Sequence, residues 1–167
     1  FELHILGCGS ALPTTRHFST SQVINLRDKL FMIDCGEGAQ MQLRKSRLKF
    51  SRLNHIFISH LDFDHAGGIS DFPHATVHVL SSEYNATQNL NHYKRKARYK
   101  VKQFQQHRYW NFIEPIAEEK WFNLKHIQNF DLFENELLML PLLGHTAGHS
   151  GIAVRNQDNW LLFCGDA

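Results

Sequence analysis

The sequence predicts a layered α/β protein that carries its chemistry on loops. Three observations support that prediction. Apolar, strand-like runs occur in pairs with short helical segments between them. Ligand-type side chains follow those runs instead of falling inside them. No repeat or low-complexity stretch interrupts the pattern across 167 residues. At that length a single domain is expected, able to bury roughly 70% of the surface its unfolded chain exposes.

The elements follow in order. Glu2 to Leu6 alternates loosely and reads as a first strand, and Gly7-Cys8-Gly9-Ser10 with Pro13 makes a loop. Gln22 to Leu26 and Leu30 to Ile33 read as strands joined by the charged turn Arg27-Asp28-Lys29, a hairpin. Gly36 to Arg47 reads as a helix, with Ala39 and Leu43 on one face and a basic end suited to the C-terminal dipole. His55 to Ser59 is a buried strand and Thr76 to Leu80 another; Ser81 with Tyr84 opens a short capped helix. Glu136 to Leu140, Ile152 to Val154 and Trp160 to Phe163 complete the strands. Paired strands of this kind argue against a parallel, doubly wound sheet.

Composition narrows the classes. The chain is 43% hydrophobic and 12% aromatic, which is globular, and its net charge of +2 neither demands nor excludes a nucleic-acid partner. Cys8, Cys35 and Cys164 are far apart and each adjoins a glycine, so small buried residues at tight turns are expected, not a disulfide framework or a Cys-based zinc site. No apolar stretch reaches membrane-spanning length and no signal peptide is legible, so a cytoplasmic protein is expected; Asn85-Ala86-Thr87 fits a glycosylation sequon without other support. Residues 90–122 differ from the rest, with a basic run at 94–102 followed by Phe104, Tyr109, Trp110, Phe112 and Trp121. Such a mixture suits either a solvated helical lid over a pocket or a grip on single-stranded nucleic acid.

His60-Leu61-Asp62-Phe63-Asp64-His65 follows the apolar run Ile56-Phe57-Ile58. Two imidazoles and two carboxylates at the exit of a buried strand are poor core material, because an uncompensated buried carboxylate costs several kcal/mol. A divalent metal relieves that cost by coordination, and the number of donors suits two metals. Gly67-Gly68 lets backbone pass close by. Gly144-His145-Thr146 and Cys164-Gly165-Asp166 each place a further ligand type after a strand. His149 reads equally as a partner of a ligand or as a turn residue.

The set His-x-Asp-x-Asp-His, Gly-His-Thr and Gly-Asp-Ala resembles the metallo-β-lactamase superfamily, and Asp34-Cys35-Gly36 matches the aspartate turn that precedes its motif. The resemblance implies an αββα sandwich over residues 1–167, with the basic and aromatic segment at about 90–122 inserted. It implies one metal held by His60, Asp62 and His145 and a second held by Asp64, His65 and Asp166, with Asp166 bridging. Zinc is the expected metal. Asp62 stands where the superfamily carries histidine, and the harder, more anionic set favours iron or manganese as alternatives. The superfamily has a last histidine ligand beyond the Gly-Asp motif, so a fold incomplete at the C-terminus is expected.

Two relatives share the chain. Residues 1–58 resemble ribonuclease Z, through Ile5 to Thr14 and Phe31-Met32-Ile33-Asp34-Cys35-Gly36-Glu37-Gly38-Ala39-Gln40. Residues 59–167 resemble lactonase- and glyoxalase-like hydrolases, and the chain reads as a join near residues 55–62. The implied activity is attack by a metal-activated hydroxide on an ester-, lactone- or thioester-like small molecule, with Asp64 as base and Phe63, Tyr109 and Trp110 lining the pocket. The alternatives are a transfer-RNA 3′ endonuclease acting on a precursor, and a piece that binds metal and turns nothing over. A homodimer is expected.

Overall fold

The computed structural model describes residues 1–10, 13–88, 97–116, 120–125, 128–130 and 134–167. A six-stranded sheet has the order β1 (Glu2–Gly7), β2 (Ser21–Leu26), β3 (Lys29–Ile33), β4 (Leu53–Phe57), β5 (Thr76–Leu80) and β6 (Trp110–Ile113). Its first three strands are antiparallel, while β4, β5 and β6 each add in parallel. The β2–β3 hairpin closes on Arg27 and Asp28, both at positive φ (49° and 64°), which gives the two-residue turn a twist matched to the strands.

Helices α1 (Ala39–Lys45), α2 (Phe63–Ala66) and α3 (Ser81–Gln88) connect the strands, and α1 and α2 cover one face of this sheet. Residue alternation decides which side chains meet them. Val23, Met32, Ile56, Val77 and Val79 pack toward the helices with Leu43, Ile69, Phe72 and Phe104. Their neighbours Ile24, Phe31, Ile33, Phe57 and Leu80 face the opposite way.

That opposite face meets a second, antiparallel sheet. A short hairpin, β7 (Lys120–Trp121) and β8 (Leu124–Lys125), precedes it; its own strands are β9 (Gln128–Asn129), β10 (Leu137–Pro141), β11 (Ser150–Asn156) and β12 (Asn159–Phe163), in the order β12-β11-β10-β9. Leu137, Met139, Ile152 and Val154 complete the core between the sheets. Trp121, Leu124 and Trp160 pack on Leu138, Leu140 and Ala153 on the outer face of the second sheet. Among the described residues the layers are therefore helix, sheet and sheet, with the β7–β8 hairpin outermost. No described helix is long and apolar enough to cross a membrane.

Four local expectations are corrected. The helix expected over residues 36–47 spans only Ala39–Lys45, because Gly38 at φ 85° turns the chain before it and Arg47 at φ 57° ends it. Ser81 does not cap α3; it is the first helical residue and its hydroxyl donates to the Ile113 carbonyl. The aromatic lid is largely sheet, with Trp110 and Phe112 in β6, stacked at 5.8 Å and packed on Tyr84. Trp110 thus belongs with the core beneath the helices and not to a pocket lining. Residues 94–96 of the basic run lie outside the described residues. Cys35 is buried, whereas Cys8 and Cys164 are exposed, and all three are free.

Candidate metal centre

The parallel strand β4 and the strands β10 and β12 all deliver their following residues to one edge of the two sheets. His60, Asp62, Asp64 and His65 follow β4, His145 lies in the β10–β11 loop, and Asp166 follows β12. A backbone hydrogen bond from Ser150 N–H to the Ser59 carbonyl, 2.9 Å, joins the sheets at this point.

Asp34 organises the floor. It holds φ 53°, a left-handed conformation that is uncommon outside glycine and costs roughly 1 kcal/mol. Its Oδ1 accepts the Ser59 N–H at 2.7 Å, and its Oδ2 accepts from His65 Nδ1 at 2.7 Å. The Ser59 hydroxyl lies 2.8 Å from Asp34 Oδ2 and 3.0 Å from His60 Nδ1. Since a carboxylate only accepts, the hydroxyl donates to Asp34 and accepts from His60 Nδ1–H. Both imidazoles therefore turn Nε2 inward, and both Nε2 atoms are buried with no hydrogen-bond partner.

The groups around those nitrogens are spaced as ligands. His65 Nε2 lies 3.2 Å from Asp166 Oδ1, and His60 Nε2 lies 3.3 Å from Asp62 Oδ2. His145 Nε2 lies 3.2 Å from Asp62 Oδ2 and 3.5 Å from Asp166 Oδ2. Two donors about 2.0–2.1 Å from a shared tetrahedral ion stand roughly 3.3 Å apart, so these separations and the partnerless nitrogens fit a metal. Two overlapping groups have all ligand atoms within 4.8 Å of one another: His60, Asp62 and His145, and His60, His65 and Asp166. Asp166 turns one oxygen to His65 and the other to His60 and His145. Asp64 is buried beside them, its Oδ2 4.0 Å from His65 Nε2, and falls in neither group.

Electrostatics follow from burial and pairing. Burial pushes the Asp62 carboxyl up, but the adjacent His60 imidazole, with Arg98 and His145, carries it below its usual range. Asp34 is likewise lowered, burial being outweighed by the charge and hydrogen bond of His65. His65 is raised to about 9: burial opposes its charge, but Asp34, Asp166 and Asp64 surround it. A metal at His65 Nε2 must compete with that proton.

Glu83 and Tyr99 carried no signal in sequence, whereas His149 read equally as a partner of a ligand or as a turn residue. Glu83, in the first turn of α3, is fully buried; its Oε1 accepts the Leu61 N–H at 2.9 Å and its Oε2 accepts the Gly148 N–H at 3.0 Å. One carboxylate thus ties the loop of His60 and Asp62 to the loop of His145. Burial raises the Tyr99 phenol, and Glu83 beside it raises it further. His149 donates Nδ1–H to the Leu142 carbonyl at 2.9 Å and accepts the Asp166 N–H on Nε2 at 3.1 Å, so it positions Asp166 through backbone. Burial, helped by the neighbouring His60, lowers His149 from the usual imidazole range, consistent with a neutral ring in that role.

Comparisons place this geometry. A quorum-quenching N-acyl homoserine lactone lactonase superposes with TM-score 0.66 at 19% identity, covering 85% of this chain and 58% of that one. Human tRNase Z, short form, gives 0.64 at 22%, covering 99% and 69%. The metallo-β-lactamase fold protein YhfI of Bacillus subtilis gives 0.67 at 12%, covering 99% and 61%. The fold is therefore that of the metallo-β-lactamases, as the motifs imply. Ribonuclease Z of Bacteroides fragilis is 90% identical over 69 residues, 41% of this chain and 23% of that protein. Ribonuclease Z of Parabacteroides distasonis is 71% identical over a stretch of the same length. The chain thus spans about a quarter of the length of these curated relatives. A sequence model of the family described as anti-Pycsar protein Apyc1 matches residues 1–136, and the chain belongs to that family.

Proposed function

We propose that residues 1–167 form one metallo-β-lactamase-like domain that carries the metal centre of a hydrolase acting on an ester-, lactone- or thioester-like small molecule. The observation that supports this reading best is the pair of buried, partnerless Nε2 atoms on His60 and His65, set among Asp62, His145 and Asp166. His60, Asp62 and His145 would hold one ion, and His65 and Asp166, with Asp64 beside them, would hold the other. Zinc suits the imidazoles, and the carboxylate of Asp62 admits iron or manganese. When bound, a divalent ion supplies Lewis acidity and lowers the pKa of water to about 7.

The chain's own residues set up the rest. Asp34 and Ser59 fix the tautomers of His65 and His60, so that each ring offers a lone pair at Nε2. Asp64, buried beside His65, takes the proton from the attacking water and orients it. His149 and Glu83 hold the loops that bear Asp166, His145 and Asp62. A cytoplasmic homodimer is part of the same proposal.

A second reading, a transfer-RNA 3′ endonuclease, is supported by the 90% identity to ribonuclease Z over 69 residues. One experiment separates the readings: metal content by elemental mass spectrometry on the parent and Asp62→His, then turnover of a lactone and thioester panel and of a precursor transfer RNA with a 3′ trailer. About two equivalents with ester turnover is the expected result. Cleavage of the precursor alone favours the endonuclease, metal without turnover leaves a binding domain, and absence of metal in both proteins overturns the proposal.

A further inference from the structure

Asp62 brings an anion into a group otherwise built of imidazoles, and one cation answers it. Arg98 Nε lies 3.4 Å from Asp62 Oδ1, while Oδ2 of the same carboxylate faces His60 Nε2 and His145 Nε2 at 3.3 and 3.2 Å. The two oxygens are thus divided, one toward the ligand cluster and one toward the guanidinium. Arg98 Nη1 also donates to the His145 carbonyl at 2.6 Å. A single side chain therefore holds a carboxylate from the β4 loop and the backbone of a ligand from the β10–β11 loop. Asp62 Oδ1 is buried and makes no hydrogen bond, so this ion contact is what restrains it.

The arginine is itself well anchored. Its neighbour Tyr99 is buried against Glu83, the carboxylate that ties the same two loops, and Phe104 a turn later is buried against Trp110. The arginine side chain is 35% exposed, so its charge is partly screened but its position is set from below.

We propose that Arg98 is a positioning residue of the metal centre, holding Asp62 as a one-oxygen ligand through Oδ2 and offsetting the charge that this carboxylate adds. The proposal rests on the metal-centre reading above. It makes a prediction of definite sign. Removing a positive charge would by itself tighten cation binding, whereas releasing Asp62 weakens it; loss of a group that orients a ligand typically costs 10–100-fold in metal affinity.

The test is a cobalt(II) titration of metal-free protein, followed by visible absorption, on the parent, Arg98→Gln, Arg98→Lys, Asp62→His and the Asp62→His/Arg98→Gln double variant. Arg98→Gln is expected to weaken the tightest cobalt site at least tenfold, and Arg98→Lys to recover part of the loss. In the Asp62→His background, where no carboxylate faces residue 98 and only its contact with the His145 carbonyl remains, the same Arg98→Gln change is expected to cost several-fold less affinity than in the parent. Equal losses in both backgrounds would assign Arg98 a merely structural role, and tighter binding by Arg98→Gln would show charge without positioning; either overturns the proposal. If neither parent nor Asp62→His binds cobalt, the metal-centre reading fails and the proposal with it.

Discussion

Glu83 is the residue on which the preformed site depends most directly. Its carboxylate is fully buried and accepts two backbone N–H groups, from Leu61 and Gly148. A hydrogen bond to a charged group contributes about 1.5–3 kcal/mol net, and a buried donor left unpaired costs about 1–3 kcal/mol. Glu83→Ala strands both donors and relieves only the desolvation of one charge, so a loss of about 4 kcal/mol is expected. Glu83→Gln keeps one carbonyl oxygen but sets an NH2 against the second N–H, and about half that loss is expected. Urea unfolding of the metal-free protein reads both values as shifts in midpoint at constant slope. Cobalt affinity of the folded variants reads the second consequence, since the two ligand loops lose their shared anchor. A loss below about 1 kcal/mol for Glu83→Ala, with cobalt affinity unchanged, would refute the reasoning.

Two further predictions concern pH and backbone packing. His65 is raised from 6.5 to about 9, so its contribution to the metal-free protein is complete below pH 6.5 and is lost as pH rises through about 9, about 3 kcal/mol in all. His78 is lowered from 6.5 to about 3 by burial and by His55, so its contribution is present above pH 6.5 and is lost as pH falls toward 3. Stability of the metal-free protein, measured by urea unfolding across pH, should therefore peak near pH 6.5; a flat profile from pH 6.5 to 9 would count against the His65–Asp34 pairing. At Gly148 a Cβ would lie 2.2 Å from the Glu83 backbone nitrogen, so Gly148→Ala should cost about 2 kcal/mol in thermal or urea unfolding, and a cost under about 0.5 kcal/mol would contradict the packed loop.

Much of the fold was legible because it rests on local alternation. The runs at Ile24, Phe31, Ile33, Phe57 and Leu80 are apolar at every second position or throughout, and they became strands at the expected places. β6 was not legible, because Trp110 and Phe112 sit among basic and polar residues, and their ring contacts with Tyr84 depend on a parallel neighbour, β5, distant in sequence. The short α1 escaped for another reason: Gly36 is taken up by a close approach to the Asp64 carbonyl oxygen and Gly38, at φ 85°, turns the chain before the helix begins. Sequence could find groups whose chemistry is unusual at a strand exit, such as His60 and Asp62. It could not find Ser59, Glu83 or Arg98, whose residue types are ordinary where they stand and whose roles arise only when separate loops meet.

That meeting also decides how folding and metal binding must be related. Asp34 and His60 to His65 extend from the first sheet, whereas His145 and Asp166 extend from the second. The sheets are held together near the site by Ser150 on Ser59, by Glu83 on Gly148 and by the shared core of Phe57, Met139 and Ile152. No cluster of three ligand atoms with a member from each sheet exists unless those contacts form. An ion that binds all of them stabilises the docked sheets by the full ratio of its affinities for the docked and undocked states. Conversely, any change that loosens the core between the sheets weakens the ion by the same factor. Loss of affinity is thus to be expected from substitutions such as Phe57→Ala that touch no ligand, and a loss of affinity alone does not identify a ligand in this fold.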